Sequence, residues 1–388
     1  MRSQERIRSL LHSPQLMWNV LVRGRYRFVY DMMPITLSEM SIEKRVNLFK
    51  AGSNLVYRRL SPVNMPLHIQ IELTNYCNLR CPVCPTGIRA VDRRAKAIEV
   101  DLFQQLMDEV GPYLLTISLW AWGEPLLHPQ LKEILHTARR HHVATLLSTN
   151  GQNLDHEEVI EALLEEPPTC LIVAIDGLTD ATNSMYRVGA KLEPILAGVR
   201  RLAELKKQLN VRLPILHMRY IVMKHNEHEL PDLETFARDN HFDFLTIRTL
   251  SIIDSQEPDQ MHQDFVPETP EWRAYGYEDG GRVQRSDFIC QQPFWFPTVF
   301  ADGTLVACEQ DFNAQQSLGV VSKDVSFADL WFSQRAAEVR KTIRDDSQTL
   351  SFCRNCPFCD RPVTDVSIQA HALSRDAESF NSLSRVVV

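Results

Sequence analysis

His68-Ile69-Gln70-Ile71-Glu72-Leu73 runs through Thr74-Asn75-Tyr76 into Cys77-Asn78-Leu79-Arg80-Cys81-Pro82-Val83-Cys84. The first six residues read as a strand and the next three as a polar turn. The last eight hold three cysteines at C-x₃-C-x₂-C spacing. A cysteine loop at the end of a strand is a soft thiolate site. Iron–sulfur clusters and closed zinc sites usually take four protein ligands, so three leave one coordination position open. A zinc site completed by a distant histidine, and plain core cysteines, are the competing readings.

The chain around this loop predicts what carries it. Strand-like apolar runs at about 67–73, 114–120, 143–148, 170–175, 214–223 and 244–248 alternate with helical patterns at about 101–111, 129–142, 155–165, 192–209 and 228–240. Nearly continuous apolar strands alternating with helices predict an α/β fold with a parallel sheet covered by helices. Chemistry in parallel barrels sits at the C-terminal ends of the strands, and the cysteine loop stands at such an end. Residues 1–60 read as helical, with a break at Pro34 and a second helix over about 41–60. They are expected to pack on the outside of the barrel or to form an oligomer contact. Residues 251–289 read as a polar linker or flap, 290–360 as a second unit, and 361–388 as a weakly patterned tail.

Composition narrows the class. The chain has 388 residues, 44 % of them hydrophobic, and a formal charge of −7. Residues 1–60 carry 11 Lys/Arg and 4 Asp/Glu, and the remainder 31 and 45, so a basic start adjoins an acidic body. An acidic body argues against general nucleic-acid binding. The basic start suits a solvated helical face, or peripheral contact with an anionic surface. No run reaches the ~18 apolar residues of a transmembrane span, and no signal peptide is evident. Nine cysteines, clustered at short spacings, suit metal binding better than disulfides, which places the chain in the reducing cytoplasm.

The cysteine loop resembles the signature of the radical S-adenosylmethionine (radical SAM) enzymes. The resemblance extends over about 67–360 and implies a partial (β/α)6 barrel. It implies that Cys77, Cys81 and Cys84 hold a 4Fe-4S cluster whose open iron chelates SAM, and that a reductant such as flavodoxin or ferredoxin feeds it. The SAM is then cleaved to a 5′-deoxyadenosyl radical. Trp122-Gly123-Glu124-Pro125 resembles the family's Gly-Gly-Glu-Pro turn, which receives the SAM ammonium group, with Trp122 in place of the first glycine. Ser148 and Asn150, at the end of the third strand, stand where the family binds SAM. Asp176 ends the fourth strand and aims at the same mouth or caps a helix; Arg187 is a cation for the SAM carboxylate. Arg219, Met223 and Asn226 line the adenine pocket or belong to the core.

Cys290, Gly303 and Cys308, followed by Cys353, Cys356 and Cys359, resemble the auxiliary-cluster region called SPASM or, when shortened, twitch. Phe300–Val306 reads as a hairpin with an Asp-Gly turn, which brings Cys290 and Cys308 together at its base. Five cysteines are too few for two fully thiolate-bound clusters. One auxiliary 4Fe-4S cluster on Cys290, Cys308, Cys353 and Cys356 follows, with Cys359 spare or an alternative ligand; zinc on the same thiolates fits equally. Cys170 is a buried bystander. Asp254, Glu309 and Asp311 are candidate bases, with a surface role the plainer reading for each. The resemblance implies hydrogen abstraction from an unreactive C–H bond, with the auxiliary cluster taking an electron or binding substrate. Oxidation of a small polar molecule is favoured over peptide or lipid and cell-envelope modification. A non-catalytic zinc or iron–sulfur scaffold is the rival of another class.

Overall fold

The computed structural model describes residues 14–15, 17–30, 33–57, 59–251, 264–274, 277–278, 281–282, 290–354, 356 and 369–374. A hairpin of β1 (Tyr26–Tyr30) and β2 (Met33–Leu37) precedes α1 (Ile42–Tyr57). Six parallel strands follow, β3 (His68–Ile71), β4 (Thr116–Ser118), β5 (Ala144–Thr149), β6 (Cys170–Ala174), β7 (Ile215–Val222) and β8 (Phe244–Thr249). Between them run α2 (Val100–Val110), α3 (Leu131–Arg140), α4 (Glu157–Glu165), α5 (Asp180–Tyr186), α6 (Leu192–Leu209) and α7 (Leu233–Asp239). One face of the strands packs on the helices through residues such as Ile69, Ile117, Leu147, Leu171 and Met218. Period-2 alternation sends their neighbours into the barrel lumen.

Where the sequence pattern predicts helix, Tyr26–Tyr30 and Met33–Leu37 pair as the antiparallel strands β1 and β2. The hairpin packs against lumen-facing residues rather than the outside: Phe28, Met33 and Ile35 cluster with Leu146, Cys170, Ile172 and Phe244. α1 forms as expected and sits at the lower rim. There Lys44 Nζ donates to the carbonyls of Leu114, His141 and His142 at 2.8, 3.1 and 2.9 Å.

The second unit is not a separate body. α8 (Gln292–Trp295) leads into β9 (Thr298–Val299), which pairs in parallel with β3. β10 (Thr304–Val306) and β11 (Gly319–Val320) continue outward, and α9 (Phe327–Trp331), α10 (Gln334–Asp345) and α11 (Ser351–Arg354) cover them. The tail also contributes: β12 (Gln369–Ala372) lies antiparallel on β8. Among the described residues this makes one ten-stranded sheet, β11-β10-β9-β3-β4-β5-β6-β7-β8-β12. Of the expected linker, Val266 and Ala274 are buried beside Leu79, Cys81 and Met223, so that part covers the cysteine loop.

Candidate cluster and cofactor site

The loop after β3 turns tightly. Cys84 N–H donates to the Cys81 carbonyl at 3.2 Å and Ile88 N–H to the Cys84 carbonyl at 3.0 Å. Gly87 lets this turn close, because a Cβ there would lie 2.2 Å from the Cys81 oxygen. Cys77, Cys81 and Cys84 are free, and their charges act on one another. Burial pushes the Cys77 thiol up to about 11, against hydrogen bonds from Leu79 N–H and Asn150. Burial likewise pushes Cys81 up to about 12, and the neighbouring Arg187 cation opposes it. A metal that displaces these protons would therefore gain a compact set of three thiolates. Among the described residues no three His, Cys, Asp or Glu side chains close around a single ion. A cluster, whose ligands bind separate irons, accepts the wider spread.

Glu124 is the hinge of the cofactor turn. It is buried, and its carboxylate accepts from Leu126 N–H at 3.0 Å, Thr149 Oγ1 at 2.6 Å and Asn150 N–H at 2.8 Å. Its charged oxygens thus tie the turn after β4 to the end of β5, and burial holds its carboxyl above the usual range. Asn150 Nδ2 reaches Cys77 Sγ at 3.4 Å and Asn78 Oδ1 at 2.7 Å. A Cβ on Gly123 would lie 1.9 Å from the Thr74 carbonyl oxygen, so only glycine fits. Trp122, in the position of the family's first glycine, donates from Nε1 to the Glu309 carbonyl at 2.8 Å. Pro125 opens a short helical turn, Pro125–Leu127.

Asp176 is fully buried and caps no helix. Its Oδ2 accepts from Arg187 Nε at 2.6 Å and its Oδ1 from Ile221 N–H at 2.8 Å. The helix-capping alternative therefore falls, and Asp176 holds the Arg187 cation beside the cysteine loop. Met223 and Asn226 belong to the core: Asn226 Nδ2 donates to the carbonyls of Asp176 and Ile221.

Near the top of the lumen Trp120, Ser148, Arg219, Arg248 and Glu309 keep partial exposure, whereas His217, Thr246 and Cys170 below them are buried. Arg219 reaches Ser148 Oγ at 3.5 Å and lies 5.8 Å from the Trp120 ring centroid. Glu309 enters from the second unit. Burial pushes its carboxyl up, while hydrogen bonds from Gln70 and Gln310 and the Arg219 charge oppose this. A surface role for Glu309 is thus overturned. Asp311 is also buried, where its oxygens accept from Gln315 and Gln316 N–H at 2.7 Å each; it shapes the loop and faces no lumen. Asp254 and Cys359 lie outside the described residues. Cys170 is buried and makes a 3.7 Å contact with His217 Nδ1.

The second thiol set gathers as its spacing implies. Cys290, Cys308, Cys353 and Cys356 are free, and repulsion among these neighbouring thiols adds to burial in raising the pKa values of Cys290, Cys308 and Cys353. Cys290 reaches about 12. Buried Glu72 and Arg93, which sequence reasoning passed over, tie the two thiol regions. Arg93 Nη1 and Nη2 donate to Glu72 at 2.7 and 2.8 Å, Arg93 Nε donates to the Phe312 carbonyl at 2.7 Å, and Ala301 N–H donates to Glu72 Oε2 at 3.1 Å.

Comparison with known proteins bears directly on this geometry. Residues 71–237 match the radical SAM superfamily, and residues 290–357 match the SPASM iron–sulfur cluster-binding domain. The chain is 25 % identical over 211 residues to the tungsten-containing aldehyde ferredoxin oxidoreductase cofactor-modifying protein of Pyrococcus furiosus, covering 52 % of this chain and 57 % of that one. It is 31 % identical over 154 residues to the AdoMet-dependent heme synthase of Methanosarcina barkeri, covering 39 % and 44 %. The chain thus spans about half the length of these curated relatives. Among solved structures, Streptococcus suis SuiB bound to S-adenosylmethionine shares the fold at a TM-score of 0.56 and 14 % identity, over 92 % of this chain and 84 % of that one.

Proposed function

The chain carries a radical SAM domain followed by a SPASM domain, and we propose that it is an oxidoreductase acting on a small polar molecule held in the barrel lumen. The two domains hold a SAM-binding 4Fe-4S cluster and an auxiliary cluster. When bound, these groups supply reductive SAM cleavage and an acceptor for the electron that the substrate gives up.

The protein's own residues supply the rest. Cys77, Cys81 and Cys84 would ligate the first cluster, and Cys290, Cys308, Cys353 and Cys356 the second. Gly123 and the buried Glu124 set the turn that meets the SAM ammonium group, and Ser148 and Asn150 meet the remainder of the cofactor. Arg187, aimed by Asp176, faces its carboxylate. Arg219 orients an anionic or hydroxyl-bearing substrate, and Glu309 accepts the proton that leaves it. One observation carries the reading: a cation from β7 and a carboxylate from the second unit, each only partly exposed, act on each other's charge on the lumen face. A charged, confined lumen suits a small polar guest. We place the reaction in the cytoplasm, where thiolates stay reduced; no helix among the described residues is long and apolar enough to cross a membrane.

The test is anaerobic reconstitution with SAM and dithionite, followed by a screen of small alcohols and amino alcohols for stimulation of 5′-deoxyadenosine formation. Wild type forms 5′-deoxyadenosine, and one class of small molecule stimulates it. Arg219→Met and Glu309→Gln keep the unstimulated rate and lose the stimulation. Stimulation by peptides alone would replace the small-molecule reading with a peptide one. Bound zinc without sulfide, and no 5′-deoxyadenosine, would leave a scaffold.

A further inference from the structure

α1 is inside out. A helix on a protein surface usually buries an apolar stripe and exposes its polar face. Among the α1 side chains that are described, the buried ones are Lys44, Asn47, Ala51 and Asn54, with Leu48 partly buried against the core. Besides the three carbonyls held by Lys44, Asn47 Nδ2 donates to the carbonyls of Met65 and Tyr113 at 3.0 and 3.2 Å, and Asn54 bonds Asn64. The outward stripe is apolar instead: Ile42, Val46 and Phe49 are 71 %, 44 % and 60 % exposed.

A second exposed apolar set adjoins it. On the turn Trp18–Val22, Trp18, Leu21 and Val22 are 56 %, 40 % and 55 % exposed, and Met17 beside them is 47 % exposed. Arg45 fastens this turn to α1, donating from Nη1 to the Leu21 carbonyl at 3.0 Å and from Nε to the Met40 carbonyl at 2.8 Å. Seven of the 16 large hydrophobic residues exposed among the described residues therefore fall between 17 and 49, a concentration that marks an interaction surface.

Charge selects the occupant. Arg23, Arg25, Arg27 and Lys50 are exposed in the same region, against Glu39 and Glu43. Residues 1–13 add three arginines and one glutamate in sequence. A second copy docked through a two-fold axis would set this basic patch against itself. An anionic bilayer meets the cations with lipid headgroups and receives Trp18 and Phe49 at its interface. We propose that this face docks the protein on anionic membranes. Because α1 lies at the lower rim, the cysteine loop and lumen mouth would point away from the bilayer. Docking would then localise the enzyme without feeding lipid into the barrel, and the inference stands independently of the substrate reading.

The test is cosedimentation of the reconstituted full chain with vesicles of phosphatidylcholine alone or mixed equally with phosphatidylglycerol. Wild type pellets with the mixed vesicles and is released by salt. Trp18→Glu/Phe49→Glu stays in the supernatant with an unchanged circular dichroism spectrum, and Arg25→Gln weakens binding roughly fivefold, as expected for one cation near an anionic surface. Failure of wild type to bind, equal binding by the apolar double variant, or a wild-type dimer that this variant dissociates would each overturn the proposal.

Discussion

Replacing Arg93 tests how the two units are joined. The Glu72 side chain is 0 % exposed and that of Arg93 7 %. The guanidinium holds the carboxylate through two nitrogens, bonds Phe312, and lies 3.7 Å from the Phe300 ring centroid. In Arg93→Met the stem is kept and the charge is gone. Glu72 then keeps the Ala301 N–H as its recorded hydrogen-bond donor. Stranding one member of a buried pair costs about 3–5 kcal/mol. At roughly 2 °C per kcal/mol for a large domain, the thermal midpoint falls by about 6–10 °C. Adding Glu72→Leu removes the stranded charge, so the double variant recovers most of the loss. Calorimetry on wild type, both single variants and the double variant reads the coupling. Additive losses, or an Arg93→Met shift near zero, would refute the claim that this pair locks the second unit onto the barrel.

Three further outcomes follow from the site. Cys356→Ala should lose about four irons per chain, as removal of one cluster requires, while Cys359→Ala keeps them; iron analysis of reconstituted protein decides, and the reverse pattern would reassign the fourth ligand. Trp122→Gly restores the family residue but removes the bond to the Glu309 carbonyl; it should leave unstimulated SAM cleavage intact and reduce substrate-stimulated turnover, and equal rates for both would show that the bond positions nothing. Burial, then the Arg219 charge, holds the pKa of His217 well below the ordinary histidine value. The unfolded chain therefore takes up a proton first, so the stability tied to neutral His217 is present above about pH 6.5 and lost as pH falls below it, at up to about 1.4 kcal/mol per pH unit. Thermal midpoints between neutral and mildly acidic pH should fall less in His217→Gln than in wild type, and parallel curves would contradict this.

The six βα units were legible because each strand is buried on both faces and reads as an apolar run, while each helix keeps a clean apolar face. The cysteine loop and the Gly123 turn were legible for a local reason: short spacing and a glycine that nothing else can replace. What escaped depends on distant partners. Tyr26–Tyr30 forms a strand because its hairpin meets the lumen residues Leu146 and Phe244, more than a hundred positions away. Periodicity located α1 correctly but could not say which face turns inward, since the burial of Lys44 is decided by carbonyls at 114, 141 and 142. Asp176 gained a definite role only once Arg187 was seen bonded to it. Glu309 and Asp311 looked alike in sequence; one faces the lumen and the other caps a loop.

The joining of the two units bears on electron transfer. Domains within one chain ordinarily move relative to each other unless their interface is large and apolar. Here the connection is of another kind. β9 hydrogen-bonds along β3, the strand whose following loop carries Cys77, while Trp122 in the cofactor turn holds the carbonyl of the residue after Cys308. Displacing one thiol set from the other therefore means breaking sheet hydrogen bonds and the buried Glu72–Arg93 pair together. The two thiol sets are therefore held in one frame, which leaves rotation of the second unit no part in bringing them together.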